Sequence, residues 1–188
     1  IYEYNRAHYT KDVCIYEVGK GFWKKDEVYG ESKKLCALMT GEYYLGLGMK
    51  KAVDFYIIKG VAEEMLDYLG YGNRYSFVLP KESIKEFHPG QVAEINANGE
   101  VVGVIGRIHP EISKDAVYVL EIDLDKLLAK KVGKMKFKEI SIYPTVNKDI
   151  AVTIDKDVTS DEIVKVIKKA AGNLLIEAKL FDIYTSAV

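Results

Sequence analysis

Apolar and polar positions change period several times along this chain, and each change marks an element. Short apolar runs bounded by turn residues, at 13–18 and 35–39, predict strands. From Asp54 to Leu69 the period becomes helical. Phe55, Ile58, Val61, Met65 and Leu69 recur every three or four residues, with Glu63, Glu64 and Asp67 on the other face. Asp54 is the expected N-cap and Gly70 the expected stop. Gly60 inside this helix costs about 1 kcal/mol relative to Ala and predicts a close neighbour on its side. Residues 92–95, Asn98-Gly99 and residues 101–108 read as a hairpin, because Asn and Gly both tolerate positive φ. Gly103 and Gly106 in the outgoing strand predict a bulge or a close backbone approach. Tyr118, Leu120, Ile122 and Leu124 then alternate with Val117, Val119, Glu121 and Asp123, the pattern of a half-buried strand.

The second part repeats the change of period on a smaller scale. Ile150, Val152 and Ile154 alternate with Ala151, Thr153 and Asp155 as a strand. Thr159 followed by Glu162 is a capping box opening a helix. Its apolar face is Ile163, Val164, Ile167, Ala170 and Ala171, and Gly172-Asn173 ends it. Leu174, Ile176, Ala178 and Leu180 form a second strand, whose phase flips at Phe181 as at a bulge. Strand, helix, strand buries too little surface to stand as a domain, so this part needs the rest of its fold.

Composition narrows the class. The 188 residues are 48% hydrophobic and 29% charged, an ordinary globular balance that excludes a disordered tail, a collagen-like repeat or a coiled coil. No apolar run approaches the ~20 residues that span a bilayer, and no signal peptide is visible. The chain opens on Ile1 without an initiator Met, so a piece of a longer protein is expected. The net charge of −1 hides a distribution. Residues 1–125 carry 15 Lys/Arg against 20 Asp/Glu, residues 126–137 five Lys and no acid, and residues 138–188 seven basic against eight acidic residues. The lysine run reads first as a solvated linker, and in its sharper form as a strap facing phosphates.

Candidate chemistry is thin. Cys14 and Cys36 lie in apolar runs and are expected as buried free thiols in a reducing compartment. They do not combine with His88-Pro89 and His109-Pro110 into a zinc spacing, and each Pro instead sets a turn. Gly46-Leu47-Gly48 is half a phosphate loop without its context and reads as a flexible loop. Only Arg6, Arg74 and Arg107 could grip phosphates bidentately. Of the 14 tyrosines, Tyr16, Tyr56, Tyr68 and Tyr118 fall at packing positions, while Tyr143 and Tyr184 could stack on a base, packing being the better expectation for each.

Several runs, in order, resemble one family. CIYEVGKGF at 14–22 is similar to "LFEIGKVF" of bacterial phenylalanyl-tRNA synthetase beta subunits, and VDFYIIKGV at 53–61 to "VDFFDLKGVVE". HPGQVAEI at 88–95 resembles "HPGRSAEI", and GEVVGVIGRIHP at 99–110 resembles "GKVIGFIGELHP". Residues 117–124 resemble "VYVFELDL", residues 142–151 "FPAVRRDLA" and residues 180–184 "LFDVY".

The resemblance implies an α+β chain in two domains. Residues 1–125 would be a class II synthetase-like antiparallel sheet with flanking helices that has lost catalysis. Residues 126–138 would be the basic linker, and 139–188 the start of a ferredoxin-fold anticodon-binding domain, a partial βαβ unit. The implied enzyme is a cytoplasmic heterotetramer of two alpha and two beta chains joining phenylalanine to tRNA(Phe) with ATP and magnesium. Its active site would lie in the alpha subunit, with no cofactor or metal held by this stretch and no membrane partner. Consistent with silence, Arg74 is followed by Tyr75-Ser76 rather than completing R-x-E, and Arg107 follows only two glycines. The expected RNA contacts are Lys134, Lys136 and Lys138 with Tyr143 and Lys148, the lysines meeting phosphates. Two departures stand out: Asn147-Lys148 replaces a basic pair, and Thr185 meets Ser186 where the family has a glycine- and lysine-rich turn, the expected reading being an omitted loop. The alternative function is a stand-alone protein- or RNA-interaction module without ligase activity. An autonomous ligase is disfavoured by the missing arginines.

Overall fold

The computed structural model describes residues 1–129, 132 and 142–184. Backbone contacts divide the chain into two units, residues 1–137 and 138–188. In the first, α1 (Tyr2–Ala7) precedes β1 (Val13–Lys25) and β2 (Val28–Thr40). A small hairpin of β3 (Glu42–Gly46) and β4 (Met49–Ala52) leads into α2 (Phe55–Tyr68). Then follow β5 (Tyr75–Val78), β6 (Phe87–Ala97), β7 (Glu100–Ile108), β8 (Tyr118–Asp123) and α3 (Leu124–Ala129). Six strands make one sheet in the order β1-β2-β8-β7-β6-β5, every neighbour antiparallel. The α+β architecture with flanking helices is the one expected.

Alternation assigns the two faces of this sheet. Tyr118, Leu120 and Ile122 of β8 are buried, and their ladder partners on β2 are Met39, Ala37 and Leu35. On the other side they meet Arg107, Ile105 and Gly103 of β7. This inner face packs against Ile58, Ala62 and Leu66 of α2 and Leu127 of α3, all fully buried. Burying each of the Ile and Leu side chains stabilises by about 1.5–3 kcal/mol. The expected stripe on α2 is close to the observed one: Val61, Met65 and Leu69 flank the buried line as partly buried neighbours. Asp54 caps α2 by accepting from the Ile57 N–H at 2.8 Å.

Some glycines are required by backbone or space, and Gly60 is not among them. Asn98 and Gly99 take φ 51° and 85°, the turn the hairpin of β6 and β7 demands. A Cβ on Gly103 would collide with the Glu121 carbonyl oxygen, and the ladder slips beside it, so Val102 bulges toward the core. Gly60 is the correction: nothing lies within 4 Å of the Cβ it lacks, so no close neighbour explains it. Gly46-Leu47-Gly48 is also not a loose loop. It is the turn of the β3–β4 hairpin, with φ of 96°, 49° and 78°.

Four further expectations are corrected. Cys14 and Cys36 are free thiols but exposed, because β1 is an edge strand and the outer face of β2 carries no covering layer. Tyr16, Tyr56 and Tyr68 are likewise exposed, and only Tyr118 of the four packs inside. The two apolar runs expected as short strands belong to 13-residue strands paired without a register break. β8 covers β2 only from Lys34 to Met39, so the far half of this hairpin projects as a two-stranded ribbon. Finally, the segment expected as a linker begins inside α3, where Leu127 is fully buried.

In the second unit, α4 (Ser160–Ala171) forms as expected. The Thr159 hydroxyl accepts from the Glu162 N–H, and the Glu162 carboxylate accepts from the Thr159 N–H at 2.8 Å, a complete capping box. Gly172 ends the helix with φ 55°. The expected strands at 150–155 and 174–180 do not form: neither segment has a ladder partner among the described residues, and Leu174 belongs to the short 3-10 turn Gly172–Leu174.

Candidate functional site: the outer face of the sheet

The residues between the inner positions of β1, β2 and β8 form the outer face, which no helix of the described residues covers. Across it run Glu17, Cys36 and Glu121 in one cross-strand row, with Gly19 and Lys34 in a second, where Asp123 follows Lys34. Two glycines in β1, Gly19 and Gly21, leave space that side chains would fill. The result is an open hollow of about 200 Å³ lined by Glu17, Gly19, Lys20, Gly21, Lys34, Cys36 and Glu121. The stem of Lys34 lies over Gly21, and its ammonium pairs with Glu121 at 2.6 Å. Half-exposed pairs of this kind contribute about 0–1 kcal/mol. Burial pushes the Cys36 thiol pKa up, and the Glu121 and Glu17 carboxylates add to it while Lys34 opposes.

The bottom of this face is tied down at α3. The Asp123 carboxylate accepts from the Lys126 N–H, capping α3, and the Asp125 carboxylate accepts from the Lys33 N–H at 2.7 Å. The second bond holds β2 at the place where it leaves the sheet and becomes the ribbon. On the ribbon itself the Trp23 ring covers Gly30, and Phe22 and Tyr29 point to the opposite, uncovered side. The pattern that could have revealed this face was available: Glu121 and Asp123 are the polar phase of β8, and Glu17 and Lys34 share its parity through the ladder.

The hollow does not suit a nucleoside triphosphate. Two carboxylates line it, its lysine is paired to one of them, and no arginine reaches it. Arg74 is spent elsewhere, donating to the Tyr71 and Gly70 carbonyls at 3.1 and 2.6 Å at the end of α2. Arg107 sits on the inner face beside Tyr118. Only one His-Pro pair sets the expected turn: Pro110 opens it, and His109 Nδ1 accepts from the Glu111 N–H at 3.3 Å, whereas His88-Pro89 lies inside β6 at the irregularity between Phe87 and Val92, with His88 Nδ1 accepting from the Gly90 N–H at 3.1 Å. Among the described residues no group of three or more His, Cys, Asp or Glu could hold a metal.

The RNA contacts expected from the sequence are only partly placed. Tyr143 and Lys148 are exposed in the irregular stretch that precedes α4. Lys134, Lys136 and Lys138 lie outside the described residues, as does the junction of Thr185 with Ser186. No helix of the described residues is long and apolar enough to cross a membrane.

This antiparallel sheet has a match. The family model described as "Phenylalanyl tRNA synthetase beta chain CLM domain" covers residues 1–124. The chain belongs to the phenylalanyl tRNA synthetase beta chain family. A second model, "Ferredoxin-fold anticodon binding domain", covers residues 141–188, which places the unpaired segments of the second unit in a ferredoxin fold. The chain is 40% identical over 189 residues to the phenylalanine–tRNA ligase beta subunit of Bacillus subtilis. It is 37% identical to that of Bacillus licheniformis and 33% identical to that of Staphylococcus saprophyticus. Each match takes in 96% of this chain but 23% of the relative, so the chain spans about a quarter of the length of these relatives.

Proposed function

We propose that this chain works as part of the beta subunit of a phenylalanine–tRNA ligase, supporting a catalytic alpha subunit and binding the anticodon arm of tRNA(Phe). The observation that carries the reading is the order of two matches on one chain, the beta-chain domain at 1–124 and the anticodon-binding domain at 141–188. We assign residues 1–125 to the catalytic-like domain, 126–138 to a basic segment whose first residues complete α3 before it becomes a linker, and 139–188 to the start of the ferredoxin fold. The first domain is a scaffold: its outer face offers paired carboxylates where a triphosphate needs guanidinium groups. ATP and magnesium belong to the whole enzyme, in which two alpha and two beta chains assemble in the cytoplasm. No step of that chemistry is routed through the residues of this chain.

Lys134, Lys136, Lys138 and Lys148 are the proposed phosphate contacts, with Tyr143 beside them. The test uses the full enzyme. Replacing Lys134, Lys136 and Lys138 with Glu should weaken tRNA(Phe) binding and reduce the slope of log affinity against log salt by about 0.7–0.9 per lysine, or roughly 2–3 in total. An unchanged slope removes the strap from the interface. The alternative, a stand-alone interaction module, predicts that the full-length protein neither co-purifies with an alpha subunit nor supports phenylalanine attachment.

A further inference from the structure

The 13 residues of β1 have a neighbour on one side only. β2 pairs with all of them, and no strand of the described residues lies along the other edge. A long edge with outward backbone N–H and C=O groups is a template for another strand, and proteins commonly blunt such edges with charge. Here the charge is cancelled within the hairpin: Lys20 pairs with Glu31 at 2.6 Å and Lys24 with Glu27 at 2.9 Å. Tyr16, Val18, Phe22 and Trp23 of the same strand are exposed instead. The far half of β1 also lacks support. β8 holds β2 only from Lys34 to Met39, so residues 20–25 stand in a two-stranded ribbon, and two strands alone are marginal in water.

We propose that β1 is a self-association edge, pairing antiparallel with β1 of a second copy about a twofold axis at Gly19. The strand itself selects this register. Gly19 is the midpoint of Val13–Lys25, so an axis there lets all 13 residues pair, Val13 with Lys25 of the second copy. An axis at Glu17 or at Lys20 sets like charges directly opposite each other, which destabilises a ladder. With the axis at Gly19, Tyr16 faces Phe22 and Ile15 faces Trp23 across the seam. Aromatic pairs of this kind stabilise antiparallel strands, and the twofold axis repeats each one. Glu17 faces Gly21, and no two like charges stand opposite. Each ribbon half, 20–25, then lies along residues 13–18 of the other copy, the half that is held in the main sheet. The pairing needs no ligase partner and is independent of the functional reading above.

The test uses the full-length chain with Cys14→Ser and Cys36→Ser as background. Gly19→Cys sets a thiol opposite its own copy, at a spacing that a disulfide can bridge. A Cβ there meets only a Glu17 carboxylate oxygen at 3.8 Å, so the strand accepts the change. Leu45→Cys, exposed on the β3–β4 hairpin, reports random collision. Mild oxidation should cross-link Gly19→Cys into a dimer and leave Leu45→Cys and the background monomeric on a denaturing gel. Sedimentation of the unmodified chain then reads the register. Tyr16→Glu or Phe22→Lys alone should raise the dimer dissociation constant about tenfold, because each change is felt twice. The two together should recover most of that loss, since acid and base then face each other across the seam. Within one strand they are six residues, about 20 Å, apart and cannot pair. Both side chains are exposed, so the thermal midpoint of the dilute chain should not move. Equal cross-linking at both sites, an unchanged dissociation constant in the single variants, or a double variant no better than the singles overturns the proposal. So does a midpoint that falls with every loss of association, which would mark a folding role. Absence of any Gly19→Cys cross-link overturns it too, and would mean that this edge is idle or taken by a different strand.

Discussion

In residues 1–137 each strand of the six-stranded sheet has a neighbour and the inner face is closed by α2 and α3. In residues 138–188 one helix is fully capped, yet among the described residues none is buried and the flanking segments have no ladder partner. Both units carry the alternation and caps expected of their elements. What differs is reach. A helix satisfies its own backbone groups, so the capping box of α4 forms from residues three apart. A strand's backbone groups are satisfied only by a neighbouring strand, so an apolar alternation alone does not make one.

The widest gap between the units should appear in their cores. Ile105 is fully buried, whereas Ile150 is 68% exposed. Ile105→Ala should destabilise the first unit by about 3 kcal/mol, through lost transfer energy and the cavity left behind. Ile150→Ala should stay within about 0.5 kcal/mol. Denaturant unfolding followed by Trp23 fluorescence reads the first, and amide exchange in α4 reads the second. An equal cost at both positions would mean that Ile150 is packed in the protein under study and would break the comparison.

Next in size are two glycine substitutions of opposite sign within the first unit. Gly103→Ala drives a methyl into the Glu121 carbonyl and should cost about 1–3 kcal/mol. Gly60→Ala meets open space in the middle of α2 and should stabilise by about 0.5–1 kcal/mol. Thermal midpoints of the two variants settle the sign. A destabilised Gly60→Ala would restore the close neighbour that the sequence led us to expect and that the structure does not contain.

These contrasts also mark what could be read in the chain. The Asn98-Gly99 turn, the caps at Asp54 and Thr159 and the alternation of β8 were legible because each depends on residues within a few positions. The burial of Cys14, Cys36 and Tyr16 was misjudged because it depends on which face of which strand is covered, and local hydrophobicity carries no record of that. The outer-face hollow was missed for a related reason: Glu17, Lys34 and Glu121 converge only after two ladders set the register.

The second unit offers a smaller test that depends only on local structure. Thr159→Ala should weaken α4 by about 1 kcal/mol, seen as faster amide exchange in its first turn. Hydrogen bonds from the Thr159 backbone and then from its hydroxyl hold the Glu162 carboxyl below the ordinary carboxylate range. A depressed folded-state pKa stabilises the helix above the ordinary Glu value, near 4.3, and that contribution is lost as pH falls through the lowered value. Wild type should therefore lose protection in α4 under acid, and Thr159→Ala should lose slightly less, because the hydroxyl's bond to the carboxylate is gone while the larger contribution of the backbone N–H remains. Identical acid profiles would show that the hydroxyl contributes nothing there.

The least effect belongs to Cys36, and it separates the two faces of the sheet rather than the two units. Burial raises the thiol pKa, and Glu121 on β8 and Glu17 on β1 raise it further, against the opposing ammonium of Lys34. Less thiolate at neutral pH means slow alkylation despite an exposed residue. Glu121→Gln removes the nearer charge and frees Lys34 from its pair, so both changes lower the pKa. Alkylation of Cys36 should then speed up several-fold, whereas Cys14, whose shift comes from burial and Asp12, should not respond. An equal acceleration of both thiols would point to a general loosening of β1 and β2. A response in Cys36 alone would establish that the Glu17–Cys36–Glu121 row acts as one electrostatic unit, set by the ladder rather than by the sequence around either cysteine.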